Sequence, residues 1–201
     1  MIDIVLPKDN EEEFIDIASK LGIKKLYFIY NFDDYKKEIT QRKPNQNAVD
    51  IEIGFLVNQK NFKNASKQSN FLMAKSSDKD RYFIESKKIK LIYGFEELPR
   101  KDYLHQRASG LNHVLCELAK KNGVAIGISY SSLINKNQEY ASLLMGRMMQ
   151  NIKLCQKHKT KIMIGSFSDN PFHLRNSHDV TNLFVILGMG NKNNSLLIRN
   201  S

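Results

Sequence analysis

Seven short apolar runs, separated by stretches with helical signatures, constrain this chain more than any other feature. The runs are Ile2 to Leu6, Lys25 to Tyr30, Val49 to Val57, Asn70 to Ala74, Ile89 to Tyr93, Val124 to Ser129 and Lys161 to Gly165. Their starts lie roughly 20 to 40 residues apart, which leaves room for one helix between successive strands. Strands joined in this way lie parallel, because a parallel pair needs a crossover of about a dozen residues or more. The pattern predicts an α/β fold. A TIM-barrel-like (β/α) barrel is the expected architecture, and 201 residues put it at the small end of that class, closed or incomplete. An open doubly wound sheet is the alternative, and periodicity does not separate the two. No low-complexity block or flexible linker divides the chain, so residues 1–201 read as a single domain.

The intervening segments carry helix signals. Asn10 precedes Glu11, Glu12 and Glu13, whose carboxylates suit a positive helix N-terminus. Phe14, Ile17, Ala18 and Leu21 follow on one face, and Gly22 suits a left-handed stop. Leu111, Val114, Leu115, Leu118 and Ala119 form a second stripe that ends at Asn122-Gly123. Asn135 and Gln138 resemble a capping box for a long helix to about Gln156, with Leu143, Leu144, Met148, Ile152 and Cys155 on its apolar face. Ser177 is the expected cap of a helix through Phe184 and Leu187 that stops at Gly188. The segment Asn191 to Asn200 reads equally as a last strand or a short helix.

Charge narrows the function. The formal net charge is +10, from 31 Lys and Arg against 21 Asp and Glu. Residues 101–201 hold most of the excess, and between Tyr103 and Ser168 only Glu117 and Glu139 are acidic. Such asymmetry favours a polyanionic partner. Two cysteines, Cys116 and Cys155, exclude a disulfide framework and a multi-thiolate zinc site. The N-terminus, MIDIVLPKDN, has no basic leader followed by an apolar stretch, and no run approaches a membrane span. A reducing cytoplasm is the expected compartment.

Several catalytic patterns are missing from the sequence. GxGxxG, GxxxxGK[ST] and GxSxG do not occur, and Cys116 and Cys155 lie near apolar stripes where burial is expected. A hydrolytic metal site would draw on His105, His173, His178 and Asp179, with Asp3 and Asp169 as further carboxylates. The most distinctive segment is KDYLHQRASGLNHVLCELAKKNGVAIGISYSSL, Lys101 to Leu133. In a barrel its first part follows the fifth strand, which places His105, Arg107 and Ser109 at the C-terminal face where barrel sites are built. Ser109 to Asn112 opens the next helix, whose free N–H groups favour an anion, and Arg107 is suited to phosphate oxygens. A second basic feature is a set of lysines at the helix-to-strand turns: Lys24 and Lys25; Lys87, Lys88 and Lys90; Lys120 and Lys121; Lys157, Lys159 and Lys161. In a barrel these form a ring on the N-terminal face that suits a phosphate backbone, although lysine at a helix C-terminus also complements the dipole.

The segment HQRASGLNHVLCELAKKNGVAIGISYSSL closely resembles the archaeal ribonuclease P protein component 3 family, related to a thirty-kilodalton eukaryotic subunit. The core of the resemblance is R-x-S-G-L-N, here Arg107, Ser109, Gly110, Leu111 and Asn112, followed by A-x-x-x-G-V-A-I-G. Downstream, Leu174-Arg175-Asn176-Ser177-His178-Asp179 resembles L-R-S-P-x-D, with Asn176 and Ser177 departing from it, and Asp3 to Pro7 resembles the family's D-I-V-x-P opening. Good similarity covers roughly residues 101–190, and the part after Gly190 is short and asparagine-rich for the family.

The resemblance implies a barrel of the kind seen in histidinol-phosphatase-like metallohydrolases, without their metal ligands. It implies an auxiliary subunit of ribonuclease P, the endoribonuclease that removes the 5′ leader of precursor tRNA. Its RNA performs the hydrolysis with Mg2+, and no cofactor is bound by the protein. The implied partners are ribonuclease P RNA, component 2, the other ribonuclease P proteins and, through the holoenzyme, precursor tRNA, with no membrane. RNA contact then falls to a rim of Lys101, His105, Arg107, Ser109, Asn112 and Arg175, or to the lysine ring, represented by Lys120, Lys121, Lys159 and Lys161. Two rivals remain: a metal-dependent phosphoesterase on a related barrel, and a small-molecule enzyme that binds a sugar phosphate at Arg107 and the adjoining helix N-terminus.

Overall fold

A computed structural model describes residues 1–34, 49–103 and 107–190. Seven parallel strands follow one another in chain order: β1 (Ile2–Val5), β2 (Lys25–Asn31), β3 (Asp50–Leu56), β4 (Leu72–Lys75), β5 (Leu91–Tyr93), β6 (Ala125–Ser129) and β7 (Ile162–Gly165). Each coincides with one expected apolar run. The described helices are α1 (Glu11–Lys20), α2 (Phe62–Ala65), α3 (Asp80–Glu85), α4 (His113–Asn122), α5 (Gln138–His158) and α6 (Ser177–Ile186). Sequence periodicity does not reveal α2 and α3, because one or two turns are too short to carry an apolar stripe. The expected element at Asn191 to Asn200 lies outside the described residues.

The sheet curls until its ends meet, as the barrel expectation requires and an open sheet does not. The chain just past β7 joins β1: Phe167 N donates to the Ile4 carbonyl at 2.8 Å and Leu6 N to the Ser168 carbonyl at 2.8 Å. Val5 and Ser168 form a parallel bridge. Asp3 seals the seam. Its Oδ1 accepts Ser166 N at 2.6 Å, its Oδ2 accepts the Tyr130 hydroxyl at 2.6 Å, and Ser166 Oγ donates to the Ile4 carbonyl at 3.0 Å. Burial pushes the Asp3 carboxyl up to about 6, against the pull of these donors.

Alternation along the strands divides the core in two. Ile4, Ile29, Met73, Leu91, Tyr93, Ala125, Met163 and Phe167 fill the barrel, while Val5, Leu26, Phe28, Ile92, Ile126, Ile128 and Ile164 pack outward against the helix layer. A narrow seven-stranded barrel accommodates aromatic rings only where facing positions are small. Tyr93 and Phe167 stack at 4.7 Å between centroids, 8° from parallel. A Cβ at Gly127 would lie 2.7 Å from Tyr93 Cβ and 3.0 Å from Phe167 Cζ. Gly127→Ala is therefore expected to destabilise the protein by about 1–3 kcal/mol through overpacking, read as a lowered urea midpoint with an unchanged m-value.

The helix caps differ in detail from the sequence expectations. Asn10 makes no side-chain cap to α1; its Oδ1 accepts Lys8 N and its Nδ2 donates to the Asp169 carbonyl, tying the loop after β1 to the loop after β7. Asn137, not Asn135, caps α5, accepting Tyr140 N at 2.8 Å. Asn176, not Ser177, caps α6, accepting Asp179 N at 2.9 Å. In both cases the Asn immediately before the first helical residue reaches the N3 amide, the geometry a cap requires. Gly22 and Gly123 do adopt the left-handed conformation at the ends of α1 and α4.

Candidate nucleic-acid interface

The described part of the segment between β5 and α4 has little regular structure, yet it is firmly held. Arg147 of α5 is 3% exposed and spans the segment with its whole guanidinium. Nη1 donates to the carbonyls of Glu96 at 2.9 Å and Leu98 at 3.0 Å, and Nη2 to the Arg100 carbonyl. Nε and Nη2 meet Asp102 Oδ1 at 2.9 and 2.8 Å. Asp102 in turn accepts Ala108 N at 2.8 Å. Burial works to raise the Asp102 carboxyl, but the Arg147 hydrogen bond, the Ala108 N–H and the guanidinium charges outweigh it and hold the group below the usual range. Three and four residues further along α5, Gln150 Nε2 donates to the Arg107 carbonyl and Asn151 Nδ2 to the Ser109 carbonyl. Spacing of i, i+3 and i+4 puts all three side chains on one face of α5.

This clamp fixes the distinctive sequence segment. Gly110 has φ +83°, and a side chain there would collide with the Phe95 carbonyl. The Arg107 side chain lies across Gly146 of α5, where any Cβ would overlap the guanidinium. Its Nη1 is 4.0 Å from Asp102 Oδ2, and 52% of the side chain remains exposed. Because Arg147 already engages Asp102 at close range, Arg107 makes only an edge contact and keeps its donors for another partner.

The other predicted rim residues divide by exposure. Lys101 and Asn112 are exposed, and Asn112 Oδ1 accepts Leu115 N at 2.9 Å as the cap of α4. Ser109 is 1% exposed, and its hydroxyl is buried without a hydrogen-bond partner among the described residues. His105 lies outside the described residues. Arg175 is exposed; its Nη1 donates to the Phe172 and Leu174 carbonyls, and its backbone N–H meets the Tyr130 hydroxyl at 3.3 Å. Arg107 follows β5 and Arg175 follows β7, so both sit at the C-terminal edge.

The lysine set lies at the opposite end, at the turns leading into β2, β5, β6 and β7. Lys25 is engaged by Glu52 at 2.8 Å and Asp50 at 3.3 Å. The Glu52 hydrogen bond is the largest cause raising its pKa. Lys24, Lys87, Lys88, Lys90, Lys120, Lys121, Lys157, Lys159 and Lys161 are exposed, and their ammonium groups form none of the ion pairs found among the described residues. Lys87 and Lys159 hold φ of 57° and 56°, a left-handed conformation that glycine or asparagine adopts more readily.

Of the residues proposed for metal chemistry, His105 lies outside the described residues and the others are engaged elsewhere. Asp3 is sealed in the barrel seam, Asp169 Oδ2 pairs with Lys8 Nζ at 2.6 Å, and His173 Nδ1 bonds Ser168 Oγ at 2.8 Å. Exposed His178 contacts Asn182 and Asp179. Among the described residues no three His, Cys, Asp or Glu side chains are arranged to hold an ion. A cavity of about 940 Å3 opens at the C-terminal ends of β1 to β4, but its charged lining is mixed, with Lys8, Lys75 and Lys79 against Asp9, Glu11, Asp34 and Asp169. Arg107 and the α4 N-terminus, required by the sugar-phosphate rival, do not line it. Cys116 and Cys155 are buried, as their positions on apolar stripes imply.

Sequence reading missed Arg147 and Asp102. The signal was present: Arg147 and Asn151 interrupt the apolar stripe of α5 at positions that must face inward with Leu144, Met148, Ile152 and Cys155. A polar residue on a buried face needs a partner, and the loop carbonyls supply it.

Together these features define a small (β/α) barrel that holds a guanidinium-bearing loop rigidly at its C-terminal edge and an array of lysines at its N-terminal edge. The chain belongs to the RNase P subunit p30 family, whose sequence profile matches residues 101–201. Ribonuclease P protein component 3 of Methanosarcina acetivorans is 32% identical over 97 residues, 46% of this chain and 41% of the relative. Its counterpart in Methanothermobacter thermautotrophicus is 24% identical over 182 residues, 86% of this chain and 73% of the relative. The chain thus spans well under two thirds of the first relative's length. A chain in a cryo-EM structure of archaeal ribonuclease P with mature tRNA shares the fold, with TM-score 0.82 and 20% identity over 98% of this chain and 87% of that one. Among the described residues no helix is long and apolar enough to cross a membrane.

Proposed function

We propose that this protein is an auxiliary subunit of ribonuclease P, which removes the 5′ leader of precursor tRNA, and that it makes no chemical step of its own. The observation that carries the reading is the family match over residues 101–201, which begins at the loop that Arg147 clamps and that presents Arg107. Its partners are ribonuclease P RNA, component 2 and the other ribonuclease P proteins in the cytoplasm, with precursor tRNA reached through the holoenzyme. Magnesium serves the RNA, and the protein binds no cofactor of its own in this reading. The protein supplies phosphate neutralisation, which positions the RNA without reading its sequence.

Reconstitution tests the role. The protein alone is expected to cleave no precursor tRNA, and adding it with component 2 to the cognate RNA is expected to lower the magnesium needed for cleavage. Full activity of the remaining subunits without it would refute the assignment. Salt dependence tests the surfaces. Arg107→Ala and Arg175→Ala are each expected to lower the slope of log affinity against log salt by about one, as loss of one phosphate contact requires. Charge reversal at Lys120, Lys121, Lys159 and Lys161 reports on the opposite face. An unchanged slope for either set removes that surface from the RNA contact.

A further inference from the structure

The loops following β5, β6 and β7 share a composition that phosphate contact alone does not explain. The first carries Tyr103, 75% exposed, with Lys101 and Arg107. The second leads into Tyr140, 40% exposed in the first turn of α5, with Lys136 Nζ 6.0 Å from the centre of its ring. The third carries Phe172, 72% exposed, with Arg175. Tyr82 is the other aromatic side chain of comparable exposure among the described residues, and it packs edge-on against Phe62 and Phe83. Neither Tyr103 nor Phe172 packs on another described ring.

These side chains stand on fixed supports. The first loop is clamped by Arg147 as described. Ser129 and Ser131 of the second both donate to the Ser166 carbonyl of the third, at 2.8 and 2.5 Å. Phe172 lies on a short turn, Pro171–His173, with its N–H on Asn170 Oδ1 and its carbonyl accepting from Arg175. Asp102 and Asp169 in these loops are paired with Arg147 and Lys8, and Glu97 with Lys75. Glu139 and Asp179 are the exposed carboxylates there without a Lys or Arg partner among the described residues; the one base that Asp179 meets is His178, at 3.9 Å. Exposed rings on loops that also carry Lys101, Arg107, Lys136 and Arg175, one of them 6.0 Å from an ammonium, suit a ligand with flat faces and a charged backbone. Unstacked nucleotides have both, and every base offers a face to an aromatic ring whatever its identity.

We infer that the C-terminal edge over β5, β6 and β7 binds unpaired RNA, with Tyr103, Tyr140 and Phe172 stacking on bases while Lys101, Arg107, Lys136 and Arg175 meet the adjoining phosphates. The inference rests on the proposed role in an RNA-containing enzyme and specifies which form of RNA this surface takes. A duplex keeps its bases stacked internally and offers these rings nothing.

The chain contains no tryptophan, so Phe172→Trp and Tyr103→Trp each introduce a single reporter at an exposed site. A twelve-nucleotide single-stranded RNA is expected to quench the emission of both variants, and a twelve-base-pair RNA duplex is not. Phe172→Leu and Tyr103→Leu are expected to weaken single-strand binding about 5- to 100-fold each, with an unaltered salt slope because no charge is removed. Binding followed independently by anisotropy of labelled RNA separates the two levels of the argument. RNA that binds with a normal salt slope but leaves both tryptophans unquenched overturns the stacking inference and leaves the role in ribonuclease P intact. Equal quenching by duplex, or quenching by component 2 alone and not by RNA, also overturns it, the latter by assigning the edge to a protein. Failure of any RNA to bind, alone or with component 2, overturns the proposed function itself.

Discussion

Arg147→Met is expected to lower stability by about 3 kcal/mol, the low end of the cost of removing one partner from a buried ion pair. Methionine retains much of the side-chain volume and none of the donors. The carbonyls of Glu96, Leu98 and Arg100 lose a hydrogen-bond partner, and Asp102 loses its ion pair. The estimate takes the low end because Asp102 keeps 21% of its side chain in water and can be partly rehydrated. Arg147→Lys restores the charge but not the fork, so one ammonium must choose among acceptors that a planar guanidinium serves together. It is expected to recover less than half of the loss. Urea titration of both variants checks this. A loss under about 1 kcal/mol for the methionine variant would mean that Phe95, Leu98 and Leu111 hold the loop by packing alone. The methionine variant should also bind RNA more weakly while still folded, because Arg107 then projects from a loop that has lost its anchor. Arg107→Ala should weaken RNA binding without changing the urea midpoint.

That contrast explains what the sequence revealed and what it concealed. Strand positions were legible because each apolar run faces two apolar layers, the barrel interior and the helices, and so reads as a continuous stretch such as Ile126 to Ile128 or Ile162 to Ile164. Closure was not legible. It depends on Asp3, Tyr130 and Ser166, which lie 127 and 163 positions apart along the chain, and no local pattern links them. Exposed cations were easily found, since charge is visible in composition. Their supports were not, because Asp102 reads as an ordinary loop carboxylate and Arg147 as one more base on a basic helix. The same limit applied to Ser109, a natural phosphate ligand by type that folding places inside. The caps went astray by one or two residues where Asn and Ser crowd together, because the choice among them depends on which side chain reaches the N3 amide.

Glu96→Gln is expected to stabilise the protein at alkaline pH and to leave it almost unchanged at pH 4. Glu96 is wholly buried, and neither carboxylate oxygen has a hydrogen-bond partner of good geometry among the described residues. Burial pushes its carboxyl up to about 7; backbone N–H groups of Glu96 and Ser129 and the more distant Lys75 oppose that, while Glu97 reinforces it. In the unfolded chain the same group titrates near 4.3. Between those values the folded state holds a proton that the unfolded state releases, so stability falls as pH rises from about 4 to about 7 and then levels off. A difference of roughly 2.7 pH units corresponds to about 3 kcal/mol at pH 8 relative to pH 4. Glutamine keeps the shape and stays neutral, which removes this contribution. A smaller decline should persist in the variant and be complete by a lower pH, because burial also raises Asp3, to about 6. Urea midpoints at pH 4, 6 and 8 for both proteins decide the matter. Parallel profiles would mean that Glu96 finds a partner in solution. Converging profiles at pH 4, with glutamine ahead at pH 8, would establish that a proton on Glu96 helps to hold the loop carrying Arg107, so that alkaline pH loosens the same element that removal of Arg147 releases.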